Sequence, residues 1–277
     1  MCLLVFAWQT ESGYPLVVAA NRDERLDRPA RSLTVLRPSR PRVLGGLDEV
    51  AGGTWLAVND RGVVAGLTNR PAPGGRDLTR RSRGELPLMV AEQRSADEGV
   101  SHLLSVVRAG DYNPGWLLIG DRHVLYYVEL TADRSPTVRQ LAPGVHVLEN
   151  VALEDASMKA DRVRSLVSSA RSEQGGLWAA LPRVLADHTL PQATAGSPPK
   201  DDTAPRRADH AAPRRPDDTA PRRAATLAAC VHTDDYGTRS AALVRVPEDP
   251  AHRPQMRVAD GPPCTTPFVD AGSFWTD

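Results

Sequence analysis

The sequence predicts an α+β layered sandwich, two mainly antiparallel sheets packed together with helices outside them. Three observations carry this reading. Apolar runs come in pairs separated by turn residues, helical patterns also come in pairs, and the two kinds of pair alternate along the chain. A doubly wound parallel sheet would instead place single helices between single strands. Strands that are apolar on both sides fit sheets covered on both faces.

The first pair is Cys2 to Trp8 and Tyr14 to Ala20, continuous apolar runs around Thr10 to Gly13. Thr54 to Val58 and Val63 to Thr68 form a second hairpin around Asn59 to Gly62, a tight-turn composition. Residues 84–94 and 97–108 carry apolar positions at helical spacing (Leu86, Met89, Val90; Val100, Leu103, Leu104, Val107), with Ser95 and Asp97 as cap candidates between them. Strands are then expected at Trp116 to Ile119, Val124 to Val128 and Val145 to Leu148, and helices over 158–171 and 175–186. A last hairpin is expected from Thr226 to His232 and Thr238 to Val246.

The chain, 1–277, reads as a single domain carrying one foreign segment. Residues 195–224 contain three tandem octapeptides, each with Ala-Pro-Arg-Arg at the same offset and none with an aliphatic branched or aromatic side chain. Such a stretch cannot offset its own ordering entropy, so it is expected to be a disordered insert.

Composition narrows the function classes. Lys plus Arg is 34 and Asp plus Glu is 34, leaving no surplus of positive charge for a generic polyanion binder, so no nucleic-acid partner is expected. Only Lys159 and Lys200 are lysines, a bias that reads as genomic base composition. The apolar run from Cys2 to Trp8 is too short for a membrane span and lacks the basic flank of a signal peptide. Cys2, Cys230 and Cys264 read as too few and too far apart for a disulfide framework or a structural zinc site. No metal is therefore expected, and a reducing cytoplasm is the expected compartment.

Gly-rich phosphate loops and metalloprotease His pairs are absent from the sequence, which leaves Cys2 as the unusual residue. A small side chain at position two permits removal of the initiator Met, after which nucleophile and base share one residue. A free α-amine titrates near about 8 and a thiol near about 8.5, both within reach of their useful forms at neutrality. Asn21, Arg22, Asp23 and Glu24 follow directly on the second strand, and hairpin pairing returns that end to the start of the first. The cluster offers a carboxylate to hold the ammonium or thiol proton and a guanidinium to favour thiolate.

A Met-Cys start into an apolar strand followed by Asn21-Arg-Asp-Glu24 resembles the NRDE family, also called the transport and Golgi organisation 2 family. Further matching pieces follow in order: Asp48 with Gly52 to Trp55, Leu67 to Asn69, Ser82 to Gly84, Asn113 with Pro114, Gly144 to His146 with Asn150, and Tyr236 to Arg239. That family is similar to N-terminal-nucleophile hydrolases, and the resemblance implies a four-layer αββα fold. It also implies roles: Cys2 as nucleophile, Asp23 as the carboxylate positioning it, Asn69 as oxyanion donor, Asn150 as a second amide at the α-amine and Arg239 as a late arginine. Asn21, Arg22, Glu24 and Trp55 are the expected substrate contacts.

Two classes of function follow. The first is hydrolysis of a linear amide C–N bond in a small molecule, with no cofactor required. The second is a non-catalytic carrier of haem or another hydrophobic metabolite, with His102, His123, His146 and His232 as candidate axial ligands.

Overall fold

The computed structural model describes residues 2–72, 75–171, 175–190 and 225–276; the octapeptide repeats of 195–224 lie outside the described residues. Strands β1 (Cys2–Glu11) and β2 (Tyr14–Arg25) form the expected first hairpin. Along β1, Leu4, Phe6 and Trp8 face one core while Leu3, Val5 and Ala7 face another. Both faces are covered, which is why the run is continuously apolar rather than alternating.

In chain order there follow β3 (Ala30–Arg37), β4 (Val43–Asp48), β5 (Leu56–Asn59), β6 (Val64–Asn69), α1 (Glu85–Ala91), α2 (Ala96–Val106), β7 (Gly115–Gly120), β8 (Leu125–Leu130), β9 (Thr137–Gln140), β10 (Gly144–Leu148), α3 (Met158–Ala170), α4 (Gly176–Leu185), β11 (Tyr236–Val246), β12 (Gln255–Ala259) and β13 (Val269–Asp270). Two antiparallel sheets result, ordered β10-β1-β2-β11-β12-β13 and β3-β4-β5-β6-β7-β8-β9. Between them Leu4, Phe6, Leu16 and Val18 pack on Leu56, Val58, Val64 and Leu118. Helices α3 and α4 cover the first sheet through Val163, Val167, Leu181 and Leu185, and α1 and α2 cover the second through Leu86, Val90, Val100 and Leu103. The order is helix, sheet, sheet, helix, the expected four-layer αββα arrangement. Each fully buried Leu or Phe contributes about 1.5–3 kcal/mol relative to exposure.

Ser95 caps α2 as expected, its side chain accepting the Glu98 N–H. Among the described residues no helix is long and apolar enough to cross a membrane.

Several elements differ from expectation. Thr226 to His232 is not a strand: only its end meets β11, through the Thr238 N–H to Val231 O and one bridge of His232 with Gly237, while the Cys230 N–H donates to Asp187 O and Ala229 O accepts from Asn21 Nδ2. The neighbours of β11 are β2 and β12, a strand whose exposed Gln255 and intervening Arg257 mask its apolar positions. Strands β3 and β4 were not expected because β4 carries Gly45 and Gly46. A Cβ on Gly46 would stand 2.0 Å from the Trp55 ring, so the missing side chain is the space that Trp55 fills.

Candidate active site

The ends of three strands from both sheets converge at one edge of the sandwich. Pairing of β1 with β2 sets Cys2 opposite Arg22, and β11 on the other side of β2 sets Thr238 opposite Asp23. From the second sheet, β6 passes close to β1, since a Cβ on Gly66 would meet Leu4 Cδ1 at 2.8 Å, and it ends at Asn69. A cleft of about 350 Å³ opens there, with Cys2, Arg22, Asp23, Glu24, Trp55 and Asn69 among its lining residues.

Cys2 is partly buried. Burial pushes its thiol up, the Asp23 and Glu24 charges add to that, and the positive charge of the N-terminal amine, then that of Arg22, opposes them. The guanidinium favours thiolate, as expected, but burial outweighs it, so a base beside the thiol would help to ionise it.

Asp23 is held from behind. Thr238 Oγ1 donates to Asp23 Oδ1 at 2.6 Å, Lys159 Nζ lies 3.5 Å from Oδ2, and Tyr236 OH donates to the Asp23 carbonyl at 2.8 Å. Burial, followed by the charge of Asp23, raises the Tyr236 hydroxyl far above its ordinary range, so it acts as a donor. Lys159 and Asp23 are 2% and 1% exposed, a fully interior ion pair. Lys159 also donates to Thr226 O at 3.2 Å.

Arg22 is treated differently. It is buried, its guanidinium carbon lies 4.5 Å from the Trp55 ring centroid, and its Nη2 is 3.7 Å from Asp48 Oδ2. Neither Nη1 nor Nη2 has a hydrogen-bond partner among the described residues. Asp48 is itself fixed, accepting from Arg28 Nε at 2.8 Å and from the N–H groups of Val50 and Ala51. Burial works to raise the Asp48 carboxyl, but Arg28 and these N–H groups outweigh it and hold the group below its usual range.

Five arginines line the cleft (Arg22, Arg28, Arg76, Arg81 and Arg83) against three carboxylates, Asp23, Glu24 and Asp48. Burial, helped by the charge of Arg76, lowers Arg83 to about 10. The concave surface is therefore a site for negative charge, with apolar contact confined mainly to Trp55, Leu67 and Ala51.

Of the residues expected from sequence, the fold brings Cys2, Arg22, Asp23, Glu24, Trp55 and Asn69 to this cleft. Asn150 stands next to it, its Nδ2 donating to the Asn69 carbonyl and its buried Oδ1 lacking a hydrogen-bond partner among the described residues. Two residues fall elsewhere. Asn21 faces the helix layer because side chains alternate along β2, and its Nδ2 bridges Leu185 O and Ala229 O at 2.9 and 2.8 Å. Arg239 sits one residue past Thr238, is half-buried against the chain after β2, and its Nη1 donates to Leu26 O. None of His102, His123, His146 and His232 lines the cleft.

Sequence reasoning missed Lys159 and Thr238. Thr238 lay inside the Tyr236 to Arg239 motif, where the charged neighbour drew attention. Lys159 carried no local signal, since the other lysine, Lys200, stands beside the octapeptide repeats and rarity alone does not separate the two. Cys230 and Cys264, read as too distant for a zinc site, have sulfurs 3.8 Å apart, because the loop after β12 folds back against the segment before β11.

Comparison with known proteins agrees with this architecture. The family model described as Transport and Golgi organisation 2 matches residues 1–253. The Transport and Golgi organization protein 2 homolog of Bos taurus is 33% identical over 264 residues, covering 90% of each chain. Its Homo sapiens counterpart is 34% identical over 170 residues, 56% of this chain and 58% of that one. Among solved structures, penicillin V acylase from Agrobacterium tumefaciens superposes with a TM-score of 0.51 at 12% identity, covering all of this chain and 88% of the acylase. At that identity the likeness speaks to the fold, which is of the N-terminal-nucleophile hydrolase type. With the tetrapeptide at the end of β2, the strand order and the family match in agreement, the chain belongs to the Transport and Golgi organisation 2 family.

Proposed function

We propose that this protein hydrolyses the C–N bond of a linear, acid-bearing N-acyl amide, with Cys2 as nucleophile once Met1 is removed. The observation that carries the reading is the convergence of Cys2, Asp23 and Asn69 on one arginine-lined cleft at the start of a central strand. A cleft of about 350 Å³ is of small-molecule size, pockets for such ligands running roughly 300–1,000 Å³.

The chemistry follows from the raised thiol. The free α-amine of Cys2 takes the Sγ proton, and the thiolate attacks the carbonyl carbon. The tetrahedral oxyanion takes a hydrogen bond from the Asn69 side-chain N–H, worth about 3 kcal/mol of barrier. The C–N bond breaks as the α-ammonium protonates the leaving amine, leaving an acyl-thioester on Cys2. Water, deprotonated by the same amine, then releases the acid. Asp23, anchored by Thr238 and Lys159, holds the α-ammonium in place between these transfers. Arg22, with unused N–H groups over Trp55, binds the substrate's carboxylate. A haem carrier would need a broad apolar slot, whereas these walls are mostly polar or charged.

The test combines intact mass with turnover. Protein lacking Met1 is expected to hydrolyse members of an N-acyl amino acid panel and to show a transient acyl adduct on Cys2. Cys2→Ala is expected to lose at least about 1,000-fold in kcat/KM with its circular dichroism unchanged. Equal turnover by Cys2→Ala, or full activity with Met1 retained, would overturn the proposal.

A further inference from the structure

Away from the cleft, His188, Cys230, His232 and Cys264 bring one ligand atom each to within 4.8 Å of one another. They come from three separate stretches: just after α4, just before β11, and the loop between β12 and β13. None of them lines the cleft, and the amide-hydrolase mechanism uses none.

The separations are those of a coordination polyhedron. Cys230 Sγ lies 3.8 Å from Cys264 Sγ, and His232 Nε2 lies 3.5 Å from Cys230 Sγ and 3.3 Å from Cys264 Sγ. A tetrahedral zinc with bonds of about 2.3 Å to sulfur and about 2.0–2.1 Å to nitrogen sets sulfurs about 3.8 Å apart and sulfur and nitrogen about 3.5 Å apart. A disulfide would require the sulfurs at about 2.05 Å, so these two are not bonded.

The fourth group is presented in the way a ligand imidazole usually is. His188 Nδ1 lies 3.1 Å from the Cys230 carbonyl oxygen. A ring whose Nδ1–H is donated to a backbone carbonyl carries its lone pair on Nε2, and this second contact fixes both tautomer and orientation. The His188 and His232 ring centroids are 5.0 Å apart and tilted by 52°, not stacked.

We propose that this cluster is a structural Cys2His2 zinc site joining the end of α4, the approach to β11 and the β12–β13 loop. Two thiolates and two neutral imidazoles favour zinc over the hard cations, which prefer oxygen ligands. Four protein ligands close the coordination shell, so the ion supports structure rather than supplying a reactive water. On binding, the two thiols lose their protons to solvent and no electron moves. His188 precedes and Cys230 follows the segment that contains residues 195–224, so the ion fastens both ends of that segment to the body of the protein. It also sits near the candidate active site: the Val231 N–H next to Cys230 donates to Thr238 Oγ1, the hydroxyl that donates to Asp23.

The test uses the reduced full-length chain stripped of metal. Cobalt(II) is expected to give an intense thiolate charge-transfer band with tetrahedral ligand-field bands, saturating at one equivalent, and zinc is expected to displace it. Zinc is also expected to raise the thermal midpoint. Cys264→Ser, at an exposed and nearly isosteric position, is expected to weaken binding by about 100-fold or more and to remove the thermal shift, while Cys2→Ala changes neither. His188→Ala serves in place of Cys264→Ser should the latter alter the circular dichroism. Absence of the charge-transfer band, its persistence in both ligand variants, or its loss in Cys2→Ala would overturn the site.

Discussion

Consecutive residues at the end of β2 meet opposite treatment. On the face toward the helices, Asp23 meets Thr238 and Lys159, and the Asn21 Nδ2 donates to two backbone carbonyls while its Oδ1 has no hydrogen-bond partner among the described residues. On the face toward the cleft, Arg22 is just as buried yet makes no hydrogen bond among the described residues through Nη1 or Nη2. The pleat separates them by one residue and sends them to different surroundings. Since buried polar groups are normally satisfied, the contrast teaches that the Asn21 amide N–H groups and the Thr238 and Lys159 contacts of Asp23 tie β2 to its neighbours, while the Arg22 N–H groups are held ready for something that enters the cleft.

The largest effect expected from this contrast is at Lys159. Replacing it with Met removes the ammonium beside a carboxylate that is 1% exposed, and breaking a buried pair costs about 3–5 kcal/mol. Urea denaturation of Lys159→Met should show a loss of that order. The double variant Lys159→Met with Asp23→Asn should recover much of it, because neutralising both partners leaves no stranded charge. A loss below about 0.5 kcal/mol in the single variant would break the claim that the helix-facing side is structural.

Arg22 gives the second and smaller effect on folding. Arg22→Met keeps much of the stacking volume over Trp55 and removes N–H groups that make no hydrogen bond among the described residues, while Asp48 keeps Arg28, so stability should move by no more than about 1 kcal/mol. Steady-state kinetics on an acid-bearing amide should instead show KM raised about tenfold or more, with an uncharged analogue unaffected. A stability loss as great as that of Lys159→Met would erase the distinction between the two faces.

The sequence disclosed the two kinds of element unequally. The hairpin of β1 and β2 and the helix pairs were legible because their apolar residues repeat at one simple period, whether continuous or helical. Strands β4 and β12 were not, since the glycines that admit Trp55 in one and the polar Gln255 and Arg257 in the other dilute the strand signal. Thr226 to His232 misled in the other direction: it is apolar enough for a strand, but the peptide groups of Ala229 and Cys230 are spent on Asn21 and Asp187. In the candidate site, Cys2, Asp23 and Asn69 could be found from motif and hairpin geometry. The period of two would also have placed Asn21 with Leu3 on the helix face, had it been applied to the tetrapeptide. The His and Cys cluster had no local signature, because its members are joined only by tertiary folding.

The smallest effect is expected at Arg239, and it sharpens the comparison from outside. Strand alternation and the irregular pairing between Thr238 and Ser240 turn this half-buried side chain away from the cleft, and its Nη1 donates to the Leu26 carbonyl. Arg239→Ala should change folding stability by within about 0.5 kcal/mol, as surface substitutions do, and should leave kcat and KM unchanged on whichever amide the wild type hydrolyses. Thr238→Val, one residue earlier, removes the hydroxyl that donates to Asp23 and should lower kcat even though no charge is lost. If Arg239→Ala were the more damaging of the two, the guanidinium would have to swing into the cleft when substrate binds, and the division of labour between the two faces of β2 would need a moving part that the resting fold does not require.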